Sequence, residues 1–264
     1  MFGARLNYES RFFVTGQELS GIDSIDIGYA NATNILQPLG FPTGLTVVAG
    51  PTEESLSLSR YLVYDDPILA FTGDSCMSGS INYQGKAYGF DSGYLNNYSV
   101  NCAVGNIPRV NASFLVYDEM RTGDGADASG AIAAPTLHIP NQGSITATCD
   151  NSTTNRVVGF DYSITCNRKP YYTIGSEKAA DVKLIPPLIY NATVQLDVDD
   201  AFMESGFSFL GTGKEQRGVS FTINGRDGTA LQSLTIPQAC LTSEQLNASA
   251  DGTLRLTLTY MGHS

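Results

Sequence analysis

Apolar and polar residues alternate along much of this chain with a period of two, the spacing of a half-buried strand rather than of a helix. In ESLSLSRYLV, Leu56, Leu58 and Leu62 fall on one side and Ser55, Ser57 and Ser59 on the other, as in an antiparallel strand with one wet face. Upstream, Ile22, Ser24 and Asp26 alternate with Asp23, Ile25 and Ile27, which predicts another strand with one buried side. SINYQGKAYGF holds two strand-like runs about a turn at Gln84-Gly85-Lys86, and YLNNYSVNC and ASFLVY continue the sheet. Further on, ATVQLDVDD sets Val194, Leu196 and Val198 against Gln195, Asp197 and Asp199, and FTINGRDG puts Phe221 and Ile223 together before a turn. TLRLTLTYM ends the pattern with a stripe of Leu254, Leu256, Leu258 and Tyr260. SITATC and VVGFDYSITC flank the polar DNSTTN and read as a hairpin. In DDPILAFTG, Pro67 lacks the N–H that a central strand donates, so a short helix or turn is expected. Residues Met1 to Gly16 read as a polar arm.

The pattern recurs. GIDSI (Gly21 to Ile25), Leu39-Gly40, Pro51, Asp65-Asp66, SINYQG (Ser80 to Gly85) and LVY (Leu115 to Tyr117) reappear in order as GFDYSI (Gly159 to Ile164), Ile174-Gly175, Pro186-Pro187, Asp199-Asp200, SFTING (Ser220 to Gly225) and LTY (Leu258 to Tyr260). A repeat of domain length implies two folds, each closing its own core, unlike the short repeats of solenoids. The expected organisation is one β module over 1–120, a linker over 121–135 and a second β module over 136–264. The linker, RTGDGADASGAIAAP, is small and flexible in composition. Each module is expected to be an antiparallel sandwich or barrel with at most one short helix.

Composition agrees with a mainly β chain: Gly (27), Tyr (14), Ser, Thr and Asn are plentiful, as in short strands joined by tight turns. No apolar run is long enough for a membrane helix, and MFGARLNYES lacks the basic start and apolar core of a signal peptide. Synthesis in a cytoplasm, without membrane insertion, is therefore expected. The N-x-S/T sequons at Asn31, Asn97, Asn111, Asn151, Asn191 and Asn247 are then read as accidents of composition. The five Cys include no C-x-x-C pair, which argues against a disulfide framework and a zinc site, and Cys102 and Cys240, at roughly matching places, are read as small buried hydrophobes. A net charge of −11 opposes binding to phosphates but suits an acidic wall that DNA must not stick to.

Catalytic patterns are missing. His138 and His263 stand in no recognisable catalytic setting, and there is no G-x-S-x-G elbow, metallohydrolase motif or phosphate-cradling glycine loop. The pairs Asp65-Asp66 and Asp199-Asp200 sit on adjacent positions, which point to opposite faces of a strand and suit a turn better than acid/base chemistry. Asp124 and Asp127 lie in a Gly-rich stretch that lacks a full calcium ligand set. No enzyme activity, metal or cofactor is expected. Tyr88, Tyr94, Tyr98, Tyr171 and Tyr172 leave open a different class, a tandem β-sandwich whose tyrosines stack on a glycan or receptor.

Two β modules per chain, with SGSINYQG and GYLNNYSV in one and TINGRDG, LQSLTIPQACL and DGTLRLTLTY in the other, resemble the tail tube proteins of tailed bacteriophages. The resemblance implies a helix-flanked β-sandwich whose long strands join those of neighbouring subunits in a ring. Rings stack into a tube that lies in the virion tail, is assembled in the bacterial cytoplasm beside other tail proteins, and lets genomic DNA pass without specific binding. Single-module members form six-fold rings, so a tandem chain implies a trimer. Six modules giving four strands each would enclose a backbone diameter of about 48 Å, with strands ~4.8 Å apart and tilted ~40°. Asp23, Asp26, Asp161 and Asp197 are the candidate lumen-lining acids. Other virion positions, such as neck, hub or capsid decoration, remain alternatives.

Overall fold

The computed structural model describes residues 10–36, 39–40, 45–63, 65–83, 86–117, 120–122, 145–149, 152–176, 178–199, 217–248, 252 and 254–264. Its first half holds β1 (Ser10–Val14), β2 (Gln17–Glu18), β3 (Ile22–Leu36), β4 (Leu45–Tyr61), a 3₁₀ helix (Pro67–Phe71), β5 (Met77–Tyr83), β6 (Lys86–Ala103), β7 (Arg109–Val116) and β8 (Arg121–Thr122). The second holds β9 (Ile145–Cys149), β10 (Ser152–Thr154), β11 (Val157–Thr165), β12 (Arg168–Tyr171), β13 (Asp181–Leu184), β14 (Ile189–Asp197), β15 (Arg217–Asn224), β16 (Ala230–Ala248) and β17 (Leu254–His263). The chain is mainly β and its pairings are antiparallel, as the period-two alternation requires.

The same pairing order runs through both halves. In the first it is β2-β1-β5-β6-β7-β4-β3, and in the second β10-β9-β15-β16-β17-β14-β11. Irregularities coincide as well. β6 gains an extra residue between Leu95 and Asn97 against β7, and β16 gains one between Leu241 and Ser243 against β17. The shift between Met77 and Gly79 on β5 is matched between Arg217 and Val219 on β15. Such bulges redirect a strand. Each falls where β6 or β16 leaves its partner in one layer (β5 or β15) for its partner in the other (β7 or β17).

The layers face each other across one core. In the second half Phe160 of β11 packs on Phe221 of β15 with ring centroids 4.7 Å apart, and Tyr162 donates to the Thr235 carbonyl at 3.1 Å. The alternating apolar side chains, among them Leu56, Leu58, Phe114, Val194, Leu256 and Leu258, are buried on this side. Each contributes roughly 1.5–3 kcal/mol on leaving water. The halves are joined edge to edge: β11 pairs with β6, from Gly159 opposite Ala103 to Thr165 opposite Asn97. Arg168 reinforces the joint by donating to the carbonyls of Leu95 and Phe71 at 3.1 and 3.2 Å.

Several local expectations are corrected. Ser10–Val14 is a strand on β5, with Phe12, Phe13 and Val14 buried, because an apolar triplet after a polar stretch is more stable in the core than in an arm. SITATC and VVGFDYSITC do not form a hairpin: β9 turns into the short β10 and pairs with β15, while β11 lies between β6 and β14. Cys102 and Cys240 are only partly buried and do not correspond, since Cys102 faces Phe160 whereas Cys240 faces Met261 beside the bulge; Cys149 and Cys166 are the buried ones. The 3₁₀ helix fulfils the expectation at Pro67, capped by the Asp66 side chain, which accepts from the Ile68 N–H. It is the helical segment among the described residues. Arg121 and Thr122, read as linker, pair with β6; Asp124, Asp127, His138 and Asp200 lie outside the described residues.

Candidate functional site: a polar sheet face between two open edges

Eight strands follow one another in the order β3-β4-β7-β6-β11-β14-β17-β16, four from each half. One face of this sheet looks into the core and the other is polar, because alternate positions carry Ser, Thr, Asn, Gln and Asp. Rows of opposed residues make the point. Asp26 faces Ser57, which faces Ser113, which faces Asn97. In the second half Asp161 faces Thr193, which faces Thr259, which faces Ser243. Asp26 and Asp161 therefore hold the same place. The sequon residues Asn97, Asn111, Asn191 and Asn247 lie on this face too, by the same alternation.

In the first half the face is concave, an open hollow of ≈ 340 Å³ lined by Ser24, Asp26, Ser57, Ser59, Asn97 and Ser99 among others. Among the described residues no imidazole, thiol or amine lines it. It offers hydroxyls, amides and one carboxylate, which is a wettable, weakly anionic surface. Among the described residues no group of three or more His, Cys, Asp or Glu is placed to hold a metal ion.

The structure places all four acids singled out from sequence on the polar side, and divides them. Asp23 pairs with Arg109, whose Nε also donates to the Ser59 hydroxyl at 2.7 Å. Asp197 pairs with Arg255 at 3.4 Å. The two arginines correspond, each at the start of the matching strand, and Arg109 additionally lies 5.8 Å over the Tyr61 ring, where the second half has Asp197. Asp26 and Asp161 have no ion pair among the described residues. Partial burial raises the Asp161 carboxyl above its ordinary value by desolvation. The face thus keeps a negative charge at the same station of each half while its ends are neutralised.

The other singled-out residues do not gather into a site. Tyr98 is fully buried and Tyr94 lies under Arg168 at 5.7 Å, so the tyrosines form no common stacking platform; Tyr171 stands apart, exposed, beneath Lys169. Asp65 is exposed while Asp66 is buried, and Asp199 is tied to Arg156 at 3.2 Å. His263 is exposed near the end of β17.

The serine and asparagine rows were not singled out from sequence, although the i, i+2 spacing of Ser55, Ser57 and Ser59 already carried them. The outermost strands are open. Among the described residues β3 pairs with β4 alone, and beyond Leu241 β16 pairs with β17 alone. No protein-family model matches the chain, and a search of curated proteins finds no match either.

Proposed function

We propose that this chain is a structural virion protein, the tail tube protein of a tailed bacteriophage, which assembles from copies of itself into stacked rings through which DNA is delivered. The observation that carries the reading is the identical pairing order in the two halves, each giving four neighbouring strands to one sheet with a polar face. Two equivalent modules side by side in a single chain are what a ring of three chains needs to present six stations. Three such sheets supply about 24 strands, enough for the ~48 Å backbone diameter at which a duplex still has room. The unpaired carboxylates Asp26 and Asp161 suit the inner wall, since fixed negative charge repels phosphates and lets DNA slide. Open edges on a long sheet suit a protein that assembles, because pairing with another copy removes the exposed ladder groups. On this reading the polypeptide acts through its interfaces and uses no catalytic group or cofactor. Electron microscopy of the purified full chain tests it: rings or tubes with a continuous lumen are expected, and dispersed monomers at high concentration would overturn it.

A further inference from the structure

We infer that the joint between the two halves is also the joint between chains: the outer edge of β16 in one copy pairs antiparallel with the outer edge of β3 in the next, in the register that β6 and β11 use within the chain. This rests on the self-assembly reading and fixes which edges meet and how.

The register follows from corresponding residues. Leu246 takes the place of Val100, each facing the matching residue of the next strand, Leu256 or Val110. Ile27 takes the place of Tyr162, facing Leu56 where Tyr162 faces Ala192. Val100 and Tyr162 are directly opposed in the internal joint, so Leu246 opposes Ile27 across the chain boundary. The same step sets Asn247 opposite Asp26, as Asn101 stands opposite Asp161, and Gln245 opposite Gly28, as Ser99 stands opposite Ser163. β11 is the middle of the sheet and β3 its border, although both hold one place in the pairing order.

Exposure supports the assignment. At the internal joint the core-facing residues Val100 and Ile164 are 0% and 3% exposed. Their counterparts at the open edges are apolar or aromatic too, yet Leu246 is 40% and Tyr29 72% exposed. Apolar side chains kept at those stations are explained by a neighbouring strand that covers them. The two edges differ, so the contact is head-to-tail, and a rotation that closes gives a ring.

In the internal joint the hydrogen-bonded residue pairs include Val104 with Val158 and Cys166 with Asn96. By alternation Ser99 opposite Ser163 is a non-hydrogen-bonded pair, whose side chains approach more closely. Its counterpart, Gly28 opposite Gln245, is therefore the position for a cross-strand disulfide. The test is the full chain carrying Gly28→Cys and Gln245→Cys, oxidised after assembly and run on non-reducing gels, beside each single variant and the register-shifted pair Gly28→Cys with Asn247→Cys. Covalent multimers from the matched pair, at least several-fold above the single variants and the shifted pair, are expected. A second variant, Leu246→Asp, alters a side chain outside the core, and should leave the circular dichroism spectrum unchanged while abolishing assembly. Rings or tubes with no cross-link, or with the shifted pair favoured, would overturn this joint and leave the tube reading standing. Strong cross-linking by Gly28→Cys alone would show a two-fold β3–β3 contact and overturn it as well. Monomers without rings would overturn both.

Discussion

Tyr98 donates its hydroxyl hydrogen to Asp66 at 3.0 Å with both residues buried in the first half. Asp66 also accepts from Arg60 Nη1 at 3.2 Å and from the Ile68 N–H at 3.1 Å, while its own N–H donates to Gln232 Oε1 at 3.1 Å in the other half. One carboxylate thus caps the 3₁₀ helix, balances a guanidinium with no exposed surface, and sits on the backbone that ties the two halves together.

Removing that carboxylate should hurt more than removing its lighter partner. Asp66→Ala removes the carboxylate paired with the buried Arg60 guanidinium, and a loss of about 3–5 kcal/mol is expected. Tyr98→Phe deletes one hydrogen bond to a charged acceptor, at a cost of about 1.5–3 kcal/mol. Urea denaturation at a concentration too low for assembly measures both, and equal effects would show that Arg60 does not depend on Asp66.

The same carboxyl links stability to pH. Burial raises it above its ordinary value of 3.8, against the opposing pull of Arg60 and of the hydrogen bonds from Ile68 and Tyr98. Between the ordinary and the raised value the native state holds a proton that the unfolded chain has released. The contribution is complete below the ordinary value and is lost as pH rises through the native one. Wild-type stability minus that of Asp66→Asn should therefore fall with rising pH across that window. A difference that grows with pH would mean that Arg60 outweighs desolvation.

Alternation carried most of the sheet into view from sequence, because a strand with one wet face writes its burial at every second residue. Leu56, Leu58 and Leu62 are buried as that rule requires. Arg60 stands on the same side and was passed over, since a charged residue on an apolar stripe reads as a strand end unless its partner is known. That partner, Asp66, lies beyond the end of β4, and its role depends on Tyr98 from β6. Pairing between strands was less legible. VVGFDYSITC resembles a hairpin partner for SITATC locally, yet β11 is claimed by β6 and β14, a long-range choice that no short window contains. The landmarks SINYQG and SFTING do meet matching partners, with Ser80 opposite Gly89 and Ser220 opposite Thr235 on the two long strands. Asp197 was visible as an alternating polar position, whereas Asp23 fell with Ile25 and Ile27 in the alternation and lies at the register shift between Ile22 and Ser24. That Asp23 and Asp197 are neutralised was not visible, because Arg109 and Arg255 come from strands far along the chain.

Gly262 gives a test of how closely the two layers approach. A Cβ there would run into the Pro237 carbonyl oxygen and the Ile236 side chain, where β16 crosses between layers. Backbone cannot move aside as a side chain can, so Gly262→Ala should cost about 1–3 kcal/mol by thermal or urea unfolding. Gly73→Ala, with open space around the added carbon, should be near neutral. Equal stability of the two variants would show that the crossing is looser than described.

Charge on the polar face is the remaining point, and it bears on the proposed passage of DNA. Arg109 and Arg255 already neutralise Asp23 and Asp197, so Asp26 and Asp161 carry the excess at matched stations. Converting both to Lys reverses the sign at two places per chain without touching the core, since Asp26 and Asp161 are exposed. Assembly should persist. Tubes of the Asp26→Lys, Asp161→Lys variant should retain duplex DNA at low salt and release it as salt rises, because each phosphate contact displaces bound counterions and steepens the salt dependence. Wild-type tubes should retain none. The control is Asp23→Asn with Asp197→Asn, which frees the two arginines and should give weaker retention through two positive charges at the ends of the strands. If the lysine variant retains no more DNA than the wild type, the polar face is not the surface that DNA meets.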